Sequence, residues 1–202
     1  MKDKNYNDDG KWKILDSRYL SRRPWLTVRR EILETPQGKK IPEYYVLEYP
    51  DWVNVIARTK DGEFIFVRQY RHGLGVTEYE LCAGVCEKSD KSPLDAAKRE
   101  LAEETGVVPD RDTMGVDFVG DFYSSEGMTD ELAHIMVLHL GPFRREQRHF
   151  DADEHVESAW IPWRDLAATR ITSSNSMIAI QHEALRRLIA RNSDKDKPSL
   201  FS

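Results

Sequence analysis

The sequence predicts an α+β fold, or an α-β-α sandwich. Three observations carry this: a succession of short β-patterned runs, a sharply bounded helix after Ser92, and a longer amphipathic stretch at 176–190. The runs at 12–20 and 25–33 are rich in β-branched and aromatic residues, as pleated surfaces prefer. Gln37-Gly38-Lys39-Lys40 reads as a turn before a strand at 44–49. Lys60-Asp61-Gly62 joins strands at 52–58 and 63–70, and Asp-Gly is a strong hairpin signal. An alternating run at 77–82 predicts one more strand. Downstream, 116–122, 134–140 and 156–161 read as strands, and 163–168 as a short helix.

The helix after Ser92 is the best-marked element. Ser92 is placed to cap it, Pro93 suits the first helical position, and Asp95 completes a capping-box-like start. Gly106 is the residue type expected just past the C-terminus. Leu94, Ala97 and Leu101 form an apolar stripe for the core. Glu100, Glu103 and Glu104, at i, i+3 and i+4, are expected to share the opposite face.

Those carboxylates break two local rules. Like charges four apart repel, and anions in the last helical turn oppose the dipole. Such a stretch is either a solvated charged face, with Arg99 pairing to Glu103, or a cluster of hard oxygen ligands suited to Mg²⁺ or Mn²⁺.

Composition sets bounds. A chain of 202 residues suits one domain with a developed core, or a domain with a small accessory element. The net charge of −5 argues against non-specific nucleic-acid binding, and any anionic substrate then requires local arginines or a bound metal. No apolar run approaches the roughly 20 residues that span a bilayer, so no membrane partner is expected. Met1-Lys2-Asp3-Lys4-Asn5 lacks the apolar core of a secretory signal, making a cytoplasmic location the expectation. Cys82 and Cys86 make no disulfide framework and no four-ligand zinc site.

The segment from Gly84 to Val107 resembles the box of the Nudix family, G-x5-E-x7-R-E-U-x-E-E-x-G-U with U apolar. Arg99, Glu100, Leu101, Glu103, Glu104, Gly106 and Val107 fit its second half completely. The first half departs from it. One extra residue lies in loop 85–91, so the box's first glutamate falls on Asp90 or Lys91, depending on where the insertion sits.

Further segments resemble the ADP-ribose pyrophosphatase branch. Val67-Arg68-Gln69-Tyr70-Arg71 and Glu80-Leu81-Cys82-Ala83-Gly84 match its strands before the box. Ser124 to Glu131 is similar to its S-P-G-F-T-D-E loop without the proline, and Asp153-Glu154-His155-Val156-Glu157 to its D-E-x-I-E segment.

The resemblance implies a mixed-sheet sandwich with a small N-terminal antiparallel sheet. The corresponding division is 12–48 for dimerisation and substrate binding and 49–191 for catalysis, between mobile tails at 1–11 and 192–202. It implies metal ligation by Glu100, Glu103, Glu104 and the Ala83 carbonyl, with Arg99 orienting the carboxylates. Arg71, Glu80 and Glu131 would contact substrate, with a strand-end salt bridge the alternative for Arg71 and a loop-bracing role the alternative for Glu131. Glu154, and after it Asp153, are the candidate general bases, with Glu104 an alternative. Trp25 would offer a base-stacking surface, although core packing is the default for such an aromatic.

The implied reaction is Mg²⁺-dependent hydrolysis of a nucleoside-diphosphate derivative by a homodimer, with ADP-ribose giving AMP and ribose 5-phosphate. A GDP-mannose-type pyrophosphatase is the alternative within the enzyme class. A catalytically silent nucleotide sensor is the alternative outside it, and the presence of all three helix glutamates argues against silence.

Overall fold

The computed structural model describes residues 10–110, 112–148 and 156–193. The chain divides into two units, 1–50 with 125–131, and 51–124 with 132–202.

The first unit is a three-stranded antiparallel sheet of β1 (Lys13–Arg23), β2 (Leu26–Glu34) and β3 (Lys40–Glu48), in that order. β1 and β2 carry several exposed apolar residues, among them Ile14, Leu20 and Leu26. The loop 125–131 is bound to β3. Leu47 N–H donates to the Met128 carbonyl at 2.9 Å, Tyr44 Oη to Gly127 at 2.9 Å, and Tyr49 N–H to Asp130 Oδ1 at 3.2 Å.

The second unit is built on a seven-stranded mixed sheet of β4 (Trp52–Arg58), β5 (Glu63–Arg71), β6 (Val76–Glu80), β7 (Cys82–Val85), β9 (Gly115–Tyr123), β10 (Leu132–His139) and β12 (Val156–Pro162). Its path runs β12-β5-β4-β10-β9, with β6 paired to β5 and β7 to β4, and β4/β10 is the parallel pair. Helix α1 (Pro93–Thr105) packs through Ala96, Ala97 and Leu101 on Val53, Val55 and Ala57. On the other sheet face, Ala179 of α2 (Ser174–Ser193) packs with Ile56, Phe64 and Phe66. Alternation along β4 therefore produces the α-β-α layering expected from the sequence.

Several details differ from the sequence reading. The single strand expected at 77–82 is two strands, because the chain changes partner at Leu81. β6 pairs with β5 up to Glu80 and β7 pairs with β4 from Cys82, while the Leu81 N–H donates to Ser176 Oγ at 3.1 Å. β8 (Val107–Pro109) and β11 (Phe143–Arg145) form a two-stranded sheet too short to show a period. α2 runs to Ser193, two residues into the stretch expected as a tail. No helix among the described residues is long and apolar enough to cross a membrane.

Candidate active site

Helix α1 starts as its sequence directs. The Asp95 N–H donates to Ser92 Oγ at 3.2 Å, and Ser92 Oγ donates to Asp95 Oδ2 at 3.0 Å. Gly106 ends the helix at φ 73°, in the left-handed region that glycine enters at least cost, and its N–H donates to the Ala102 carbonyl. These caps fix where the glutamates stand.

They do not all stand on an outward face. Glu104 is buried, at 3% exposure. At roughly 100° per residue it projects only about 20° from Ala97, a core position, so it cannot oppose the apolar stripe. Its Oε2 accepts the Ala83 N–H at 3.2 Å, tying the last turn of α1 to β7. The buried carboxylate also raises the pKa of the fully buried Cys82 thiol, where desolvation is the larger cause. Cys82 is thereby kept an inert packed thiol.

Glu100 and Glu103 turn instead to Arg99. Its Nη1 donates to Glu100 Oε1 at 2.8 Å and to Glu103 Oε2 at 2.9 Å. Nη2 donates to the Val85 carbonyl at 2.7 Å and to Asp90 Oδ2 at 3.0 Å, and Nε donates to Asp90 Oδ1 at 3.3 Å. Desolvation lowers Arg99, but the hydrogen bonds it donates to Asp90 and Glu100 outweigh this and push it above the ordinary arginine value.

This cage resolves the loop 85–91. Asp90, not Lys91, faces the helix arginine, so the extra residue falls between Asp90 and Arg99. The Glu87 N–H donates to Asp90 Oδ2 at 2.8 Å and the Asp90 N–H to the Glu87 carbonyl at 3.0 Å, closing a tight turn that aims the carboxylate. Arg99 holds the Asp90 carboxyl below the usual range.

Gly84 is the point of closest approach. A Cβ built there would lie 2.0–2.3 Å from the Glu100 carboxylate, which therefore occupies space that only glycine leaves open. The carboxylates of Glu100 and its helix neighbours beside β7 are hard oxygen donors of the kind a divalent cation takes. Among the described residues no three His, Cys, Asp or Glu side chains are gathered closely enough to close on one ion, because Arg99 draws Glu100 and Glu103 toward itself.

In the same unit, Arg71 and Glu80 meet. Arg71 Nε and Nη2 donate to the two Glu80 oxygens at 2.7 and 2.6 Å, a bidentate fork that fixes the guanidinium while its side chain stays 43% exposed. Arg68 takes a different partner, Glu157 directly across on β12, at 3.2 Å.

In the first unit, Glu131 is half-buried, and its carboxyl is raised mainly by that burial, the hydrogen bond from Thr129 acting in the opposite sense. Trp25 sits in the β1–β2 turn at φ 60° and is 68% exposed, so the core-packing default does not hold for it. Asp153 and Glu154 lie outside the described residues.

Residues 48–179 match the NUDIX domain, and residues 12–47 match the nucleoside diphosphate sugar hydrolase N-terminal domain. The chain belongs to the NUDIX family. It is similar to an ADP-ribose pyrophosphatase of Bacillus subtilis (strain 168), with 31% identity over 163 residues that cover 79% of this chain and 85% of that protein. A methanol dehydrogenase activator of Bacillus methanolicus is 29% identical over 161 residues, covering 78% and 84%. The crystal structure of an ADP compounds hydrolase shares the fold, with a TM-score of 0.74 at 21% identity over 90% of this chain and 96% of that one. As a NUDIX hydrolase the chain is an enzyme, and its box helix carries the full set of acidic residues despite the irregular loop before it.

Proposed function

We propose that this enzyme hydrolyses the diphosphate of ADP-ribose, giving AMP and ribose 5-phosphate, with Mg²⁺ as its metal and Mn²⁺ as a substitute. The observation that supports this best is the Arg99 cage, which gathers Glu100, Glu103 and Asp90 beside Gly84. The similarity to an ADP-ribose pyrophosphatase over 79% of the chain adds the substrate class.

Glu100, Glu103, Glu104 and the Ala83 carbonyl are the groups that would hold the metal. When bound, the cation would supply positive charge against the crowded diphosphate and acidify water beside it, the chemistry these carboxylates are placed to support. Arg99 orients Glu100 and Glu103, and Asp90 in turn orients Arg99, so the carboxylates are set before substrate arrives. Arg71, braced by Glu80, receives phosphate oxygens with a guanidinium whose direction is already fixed. Glu154, and after it Asp153, takes the proton of the attacking water. Glu131 lines the substrate loop, and Trp25 offers a face for stacking the base. The three-stranded sheet serves as the dimerisation element of a homodimer.

The test is a panel of ADP-ribose, GDP-mannose and related nucleotide sugars, incubated with Mg²⁺ and read by mass spectrometry. Efficient turnover of ADP-ribose is expected. Turnover of GDP-mannose without ADP-ribose would overturn the substrate assignment and favour the sugar-nucleotide reading, which the 12–47 domain match also supports. Glu103→Gln should abolish most activity, and unchanged hydrolysis would sink the metal-site assignment.

A further inference from the structure

On the sheet face opposite α1, the second half of α2 carries a charge cluster that the reaction does not use. Glu183 is fully buried, and its two oxygens accept from Arg58 Nη1 at 3.2 Å, Arg187 Nε at 2.9 Å, and Arg186 Nε and Nη2 at 2.8 and 3.0 Å. Asp117 on the edge strand β9 adds a second carboxylate, 3.3 Å from Arg186 Nε. Arg58, Arg186, Arg187 and Arg191, with Ala190, line a cavity of about 290 Å³. Four guanidiniums against two carboxylates leave this cluster two charges positive on a chain whose net charge is −5.

The imbalance is costly as it stands. The arginines offer far more N–H donors than two carboxylates can accept, and Arg58 Nε and Arg187 Nη2 are buried without a hydrogen-bond partner. Burial, and then repulsion from Arg187, pushes the Arg58 guanidinium below its usual value. Arg187 is also held by stacking 4.4 Å from the centre of the Trp163 ring, which opposes its swinging out into solvent. An open, net-positive groove of preset guanidiniums matches the forked recognition of phosphate oxygens. The negative end of the α2 dipole, about half a charge, is too small to cancel it. At about 290 Å³ the cavity lies at the small end of ligand sites, suited to one phosphoryl group and too small for a whole nucleotide.

We propose that Arg58, Arg186, Arg187 and Arg191 form an anion site that binds a single phosphate group, as the free ion or as a phosphomonoester, separately from the catalytic carboxylates.

The test uses the full chain in EDTA at fixed ionic strength, so that no divalent ion can bridge phosphate to the α1 glutamates. Inorganic phosphate is titrated against it by calorimetry, while side-chain Nε–H resonances of arginine are followed by ¹⁵N NMR. Saturable binding with Kd below about 10 mM is expected, with shifts at Arg58 and Arg187. The double variant of half-buried Arg186 and exposed Arg191, Arg186→Gln/Arg191→Ser, should weaken binding at least about ten-fold, a loss of about 1.4 kcal/mol. Arg144→Ser, which removes an exposed charge elsewhere, should bind as the wild type does.

Repeating the titration with ribose 5-phosphate separates the sources: binding equal to or tighter than that of the free ion identifies a phosphomonoester site, and weaker binding a site for the free ion. Absence of saturable binding, unchanged affinity in the folded double variant, or equal loss in Arg144→Ser would each overturn the proposal. Arg191→Ser alone, at an exposed position, keeps the test valid if the double variant does not fold; affinity equal to wild type would again overturn it.

Discussion

Replacing Gly84 by alanine isolates the contact on which the active-site reading depends. The backbone there does not occupy the left-handed region, so alanine brings no torsional strain. Its methyl group would meet Glu100 Cδ at 2.0 Å and the two carboxylate oxygens at 2.1 and 2.3 Å. Ordinary contact begins near 3.5 Å, so the carboxylate must retreat by about 1.5 Å. It is the far end of a flexible side chain, and the fold can absorb the movement. The cost is the Arg99–Glu100 contact at 2.8 Å, between side chains 22% and 13% exposed. Such a part-buried pair is worth more than the about 0–1 kcal/mol of an exposed one, but Arg99 keeps Glu103, Asp90 and the Val85 carbonyl, and the stiffer unfolded chain offsets about 0.4–1 kcal/mol of the loss. Thermal stability should therefore stay within a few degrees of wild type. Activity should not, because misplacing a reacting-centre group by about 1 Å costs on the order of 100-fold. Steady-state rates across a Mg²⁺ titration, with thermal melts beside them, check both halves. A folded Gly84→Ala enzyme within about three-fold of wild-type kcat, at an unchanged metal requirement, would refute the reasoning.

Three further outcomes are expected. Asp90→Asn should lower activity about 10- to 100-fold by loosening Arg99, as outer-shell changes do. Because Arg99 depresses the folded Asp90 pKa, the stability advantage of wild type over Asp90→Asn should be full above the unfolded aspartate value near 4, and vanish as pH falls through the lower folded value; urea melts from pH 7 to 3 would reveal a pH-independent difference as the failure. Glu183→Gln leaves three guanidiniums around a neutral amide and should cost about 3–5 kcal/mol by urea unfolding; a loss under about 1 kcal/mol would show that the carboxylate does not hold the cluster together. Light scattering at micromolar concentration should report a dimer, and a monomer would count against assigning the three-stranded sheet to dimerisation.

How much of this was legible in the sequence depends on the range of the forces involved. Helix α1 was readable to the residue, since Ser92, Pro93 and Gly106 act on their own backbone neighbours. β4 was equally plain, because apolar residues fill nearly its whole length. The β6–β7 break was not, since the partner change at Leu81 depends on Ser176, 95 residues away. The Glu183 cluster went unread although Glu183, Arg186 and Arg187 show the i, i+3, i+4 spacing. Such spacing usually marks a solvated face, whereas here α2 packs on the sheet and Glu183 is buried with Arg58 of β4 as a partner.

The insertion in loop 85–91 shows why local pattern and function separate. A box read by spacing alone leaves two residues competing for one role, and a lysine there would repel Arg99. Folding selects Asp90 because the Glu87–Asp90 turn directs its carboxylate at both Nε and Nη2 of Arg99. Aspartate is one methylene shorter than the glutamate of the family pattern, and the extra residue lies downstream of it. Compensation between the irregular spacing and the shorter acid has a direct test. Restoring glutamate at position 90 without deleting a loop residue should crowd Arg99, whereas making both changes should return the fork, and kinetics on the single and double variants would expose the coupling as non-additivity.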